Sequence, residues 1–88
     1  MKYYLSELTH RNGEFEYETK FIFKTDGDAQ AFVDQQARTF YGYGVEEDED
    51  GILWVPYSGT TIDSGHPYEI KKATFDDLKS TNMWDATE

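Results

Sequence analysis

The chain has no cysteine, two prolines among 88 residues, and only eight lysines and arginines against eighteen aspartates and glutamates. Without cysteine, neither disulfides nor thiolate metal sites can add stability. Lys2, Arg11, Lys20, Lys24, Arg38, Lys71, Lys72 and Lys79 are scattered with one adjacent pair, which excludes the clustered basic surface that phosphate backbones and acidic lipids need. No run approaches the roughly 20 apolar residues of a membrane span, and Met1-Lys2 leads straight into a strand-like segment. The expectation is a cytoplasmic protein that contacts neither membrane nor nucleic acid directly.

What the chain does have is aromatic residues and negative charge. Two Trp, seven Tyr and six Phe make up 17% of it. Each buries roughly 150 to 250 Å², which compensates for few aliphatic residues in a domain that can bury only about 60 to 65% of its unfolded surface. Residues 1–80 are expected to form one domain, with 81–88 a frayed tail from which Trp84 alone docks back.

Tyr3, Tyr4, Leu5 and Leu8 suit a strand, and residues 14–24 alternate apolar with polar. Asn12-Gly13 between the two runs predicts a type I′ hairpin. Leu8 would then face Tyr17, and Phe15, Tyr17, Phe21 and Phe23 would share one side. The other side would show Glu7, Glu14, Glu16, Glu18 and Lys20. After a cap cluster at residues 25–28, Ala29, Phe32, Val33, Gln36, Ala37 and Phe40 fall at helical spacing, and Gly42 and Gly44 can end that helix. Strands are expected at 51–57, where Pro56 favours an edge or a strand end, and at 67–72. Ser58-Gly59 and Asp63-Ser64-Gly65 read as turns. Thr74 and Asp77 resemble a capping box starting a short helix. The predicted fold is an α+β two-layer sandwich: a mainly antiparallel four-stranded sheet, one amphipathic helix, and a short C-terminal helical turn.

The net charge of −10 is concentrated in two places. One is the alternating row Glu14, Glu16, Glu18; the other is the unbroken run Glu46, Glu47, Asp48, Glu49, Asp50. Alternate residues on a strand advance about 6.8 Å, two steps of the 3.4 Å phosphate rise along one DNA strand. A fixed carboxylate row can therefore occupy phosphate subsites on a basic partner. The plainer reading is a solvated strand face that discourages aggregation.

Other chemistries fare worse. Glu46-x-Asp48-x-Asp50-Gly51 has the spacing of a calcium loop but carries Tyr57 where the bidentate Glu belongs. His10 and His66 sit in no catalytic frame, and there is no G-x-S-x-G, H-E-x-x-H or phosphate loop. No cofactor, metal or catalytic residue is assigned, and an enzyme is not expected.

Tyr3-Tyr4-Leu5-x-Glu7-Leu8-Thr9-His10-x-Asn12-Gly13-Glu14-x-Glu16-Tyr17 resembles small uncharacterised proteins of phages and bacteria, over about the first quarter of the chain. In size, acidity and aromatic content the chain is similar to phage-encoded inhibitors of host defence that imitate DNA, such as anti-CRISPR and anti-restriction proteins. Such inhibitors are not one family, so the resemblance carries over no residue roles. It implies a basic nucleic-acid-binding partner, met by Glu14, Glu16, Glu18 and Glu46 to Asp50, with Tyr43 and Trp54 adding apolar contact. The competing expectation is a structural or regulatory module whose acidity is incidental, self-associating as a homodimer through a strand edge at Ile52 to Tyr57.

Overall fold

The computed structural model describes residues 1–41 and 44–88. The two alternating runs form β1 (Lys2–Asn12) and β2 (Phe15–Thr25), paired antiparallel along their whole length. Their turn is Gly13-Glu14, with Gly13 at φ 61° and no positive φ at Asn12 or Glu14. Glycine at the first central position alone is the pattern of a type II′ turn, not the expected type I′. Leu8 therefore faces Thr19 rather than Tyr17, and Glu7 faces Lys20. A slip of two residues preserves the alternation, so each side chain stays on its expected face.

Asp28 caps α1 (Ala29–Thr39) by accepting hydrogen bonds from the Gln30 and Ala31 amides. Val33 and Ala37 are fully buried on the hairpin's aromatic face, and Phe32 stacks on Phe23 with centroids 4.3 Å apart. Gly42 lies outside the described residues. The sheet then grows to six strands, two more than the sequence suggested, with β3 (Glu46–Glu47), β4 (Leu53–Val55), β5 (Thr60–Ser64) and β6 (Tyr68–Ile70). Its order is β2-β1-β5-β4-β3, with β6 also pairing β1. Leu8, Phe21, Phe23, Val33, Ala37, Leu53, Val55 and Ile62 form the core beneath α1.

Asp63-Ser64, read as a turn, belongs to β5. Both β5 and β6 pair the same edge of β1, but Leu8 faces Ser64 while Leu5 faces Tyr68, so three residues oppose two between these pairs. Gly65-His66-Pro67 is thus a one-residue bulge, which flips the following side chains to the opposite face. Ile70 lands opposite Tyr3, on the face away from α1. There α2 (Lys72–Ser80) packs, with Phe75 buried and its ring 5.0 Å from Tyr3. The expected two layers thus gain a partial third. The helix starts before Thr74, at Lys72, with Lys71 in the N-cap position and no side-chain cap.

Residues 81–88, expected to fray, turn back along the outer edge of β2. The Ile22 amide donates to the Trp84 carbonyl and the Ala86 amide to the Ile22 carbonyl, both at 2.9 Å. Asp85 is buried, accepts from the Thr87 amide, and lies 3.4 Å from the Lys79 ammonium.

Candidate anionic binding face

The face of the sheet turned away from α1 is only partly covered, because α2 contacts β1 and β2 near the start of β1. Beyond it, one row of side chains crosses five strands. Glu16 faces Arg11, Arg11 faces Thr61, Thr61 faces Trp54, and Trp54 faces Glu46. With strands about 4.8 Å apart, the row runs about 19 Å from edge to edge. A second row sets Glu18 and Asp63 on either side of Thr9. Glu16, Glu18, Asp63 and Glu46 thus share this face with the Arg11 guanidinium, and the next row adds Glu7 opposite Lys20.

That guanidinium is anchored on both sides. Arg11 Nε donates to Glu16 Oε2 at 3.2 Å, and its terminal nitrogen donates to Asp63 Oδ2. Glu16 is therefore partly neutralised, while no ion pair among the described residues engages Glu18 or Glu46. Such exposed pairs stabilise the fold by at most about 1 kcal/mol. Their effect here is to hold side chains in place.

The acidic run is a hairpin rather than a loose loop. Glu46 and Glu47 form β3, alternation sends Glu47 to the α1 side, and there it lies 3.5 Å from Arg38. Asp48 Oδ1 accepts from the Asp50 and Ile52 amides, both at 2.9 Å, so it closes the turn. Gly51 follows at φ 80°, a left-handed conformation that glycine tolerates best. Glu49 and Asp50 stand exposed at the tip. No cluster of three metal-ligating side chains occurs among the described residues.

Of the residues singled out in the sequence, Glu16, Glu18, Glu46 and Trp54 come together on this face. Glu14 sits in the exposed β1–β2 turn, Glu47 is turned away, Asp48 is structural, and Tyr43 lies outside the described residues. Asp63 and Arg11 escaped notice. The β-branched Thr60-Thr61-Ile62 was the signal that Asp63 belongs to a strand.

Most lysines lie elsewhere, although Lys20 stands on this same face opposite Glu7. Lys2, Lys24, Lys71, Lys72 and Lys79 lie around α2 and the strand ends beside it. Lys72 pairs with Asp76 at 2.8 Å, and Lys79 pairs with Asp85 and Glu88. Lys2 and Arg11 are nine strand positions apart, about 30 Å.

A second feature lies at the hairpin tip on the other face. His10 is fully buried, stacked on Tyr17 at 4.4 Å, with Nδ1 2.9 Å from the Tyr41 hydroxyl and Nε2 2.9 Å from Thr19 Oγ1. Burial lowers the histidine's pKa below its ordinary 6.5. Burial also raises that of Tyr41, reinforced by its hydrogen bond with Tyr17. Both groups are neutral at pH 7.

Compared with protein-family models, with curated proteins and with solved structures, the chain shows no match.

Proposed function

We propose that this chain is an acidic binding protein that occupies the nucleic-acid-binding surface of a basic partner, in the manner of phage inhibitors that imitate DNA. The partner class is a nucleic-acid-binding complex of host defence, and the protein acts by occlusion rather than catalysis. The supporting observation is the row of carboxylates held on a rigid sheet, with Glu16, Glu18, Asp63 and Glu46 around Trp54 and the acidic hairpin continuing it at one edge. Charge on rigid elements speeds encounter and makes it salt-sensitive, while a half-buried tryptophan in its midst supplies the apolar contact that slows release.

The test is capture from a bacterial lysate with and without excess duplex DNA, using wild-type protein and a variant carrying Glu18→Gln, Glu46→Gln, Glu49→Gln and Asp50→Asn. Asp48 is spared because its loss would open the turn. DNA should displace the captured basic complex, and the variant should capture at least tenfold less at low salt. Capture indifferent to both DNA and the substitutions would refute the reading.

The alternative is self-association through Ile52 to Tyr57, where β3 covers only Leu53 and Trp54 on the side away from β5. Size-exclusion chromatography across ionic strengths separates the two, since apolar self-association persists at high salt.

A further inference from the structure

At the hairpin tip, Tyr17, Tyr41 and Tyr57 surround an open cleft of about 290 Å³, closed on its remaining sides by Asn12, Val55 and the β4–β5 turn at Ser58 to Thr60. Tyr57 is 92% exposed and Phe15, beside the cleft's mouth on the same strand face as Tyr17, is 79% exposed. With Tyr68, these are the most exposed aromatic rings among the described residues, and two of the three stand at this cleft. At about 290 Å³ the cleft stands at the small end of the roughly 300 to 1,000 Å³ of ligand sites, with room for one long side chain.

Its chemistry selects the kind. Among the described residues no cation lines it, so an anionic ligand finds no counter-charge. The lining is three tyrosine rings, Val55, the Asn12 amide and the hydroxyl residues Ser58 and Thr60. His10 fixes the Tyr41 hydroxyl, which meets the Tyr17 hydroxyl at 3.2 Å, so two rings are held in place before any ligand arrives. Asn12 Nδ2 donates to the Ser58 carbonyl at 3.2 Å and to Thr60 Oγ1 at 3.1 Å, and among the described residues Asn12 Oδ1 has no donor of its own. Arg11, the nearest residue in sequence that carries positive charge, points to the opposite face and is bound to Glu16 and Asp63. Ring faces attract cations through their quadrupole, and a planar, weakly hydrated guanidinium both stacks on them and donates to the surrounding oxygens.

The geometry points to this cleft as a receptor for one arginine side chain of the partner, stacked on Tyr57 and Tyr17. The source of that arginine rests on the function proposed above, because a surface built to hold nucleic acid is rich in arginine. The cleft itself can be tested without any partner.

The probes are N-acetyl-arginine amide and its neutral isostere N-acetyl-citrulline amide, followed by NMR on the tyrosine ring resonances of the intact protein. Arginine should give saturable shifts at Tyr17 and Tyr57, binding about fivefold tighter than citrulline. Tyr57→Ala should abolish the shifts at Tyr17, while Tyr57→Phe should retain them. Because Tyr57 is almost wholly exposed, neither change threatens folding. Equal responses to the two probes, or arginine shifts that survive Tyr57→Ala, would overturn the assignment. The acidic-hairpin variant, with its tyrosines intact, should still respond to arginine even if lysate capture fails, so the two proposals stand or fall separately.

Discussion

His10 shows how one buried side chain can set a pH limit. The fold accommodates its neutral ring, whereas in the unfolded chain the ring takes up a proton near pH 6.5. A lowered folded-state pKa means that the stabilising contribution is complete above about pH 6.5 and is lost as pH falls through the folded value. The histidine's share is therefore read from a difference: between about pH 7.5 and pH 5.5 wild-type protein should lose more melting temperature than His10→Gln. Parallel pH profiles for the two proteins would contradict this assignment. At Gly65, by contrast, the constraint is steric. A Cβ there would stand 3.0 Å from the Glu7 carbonyl oxygen and 3.0 Å from its Cγ, and the backbone oxygen cannot move aside. Gly65→Ala should cost about 1 to 3 kcal/mol in chemical denaturation. Gly27→Ala, whose new carbon meets only Thr25 Oγ1 at 3.6 Å, should stay within about 0.5 kcal/mol.

Among the elements, the hairpin and α1 were legible because period-2 and period-3.6 patterns report burial on one side directly. Asp28 was recognisable as a cap for the same local reason. The register was not. Asn-Gly satisfies a type I′ turn and Gly-x a type II′ turn, and only the tertiary pairing of β1 with β5 and β6 chooses between them. β3 was hidden because two glutamates have little strand propensity of their own and pair only when β4 lies beside them. The bulge was hidden too, since Asp63-Ser64-Gly65 followed by Pro67 has the composition of a turn. Of the candidate site, the acidic residues were readable as charge, but which ones share a face depended on that unseen strand. The C-terminal segment supplies the clearest test at this scale. Ending the chain at Met83 removes the partners of the Ile22 amide, the Ile22 carbonyl and the Lys24 amide, and bares the edge of β2. Truncated protein should be less stable by about 2 kcal/mol or more and should self-associate, as measured by denaturation and sedimentation. An unchanged monomer would show that the edge needs no cover.

Across the whole molecule, charge is distributed unevenly. Most lysines and their partners lie around α2, while the far end of the sheet carries Glu16, Glu18, Asp63 and the hairpin of residues 46–50, with Arg11 and Arg38 the cations paired among them. Holding like charges together opposes folding, and screening relieves that cost. Raising ionic strength from about 0.01 M to about 0.15 M shortens the screening length from about 30 Å to about 8 Å. The melting temperature should rise across this range, and should rise less for the variant neutralised at Glu18, Glu46, Glu49 and Asp50. The same carboxylates that oppose folding are the ones available to a basic groove. The decisive measurement is equilibrium competition between this protein and duplex DNA for one purified basic complex recovered by capture. If the sheet face stands in for a phosphate backbone, DNA and protein will exclude each other, and affinity will fall with salt less steeply in the neutralised variant. Simultaneous binding of both, with a salt dependence untouched by the substitutions, would show that the carboxylate face is not what the partner holds.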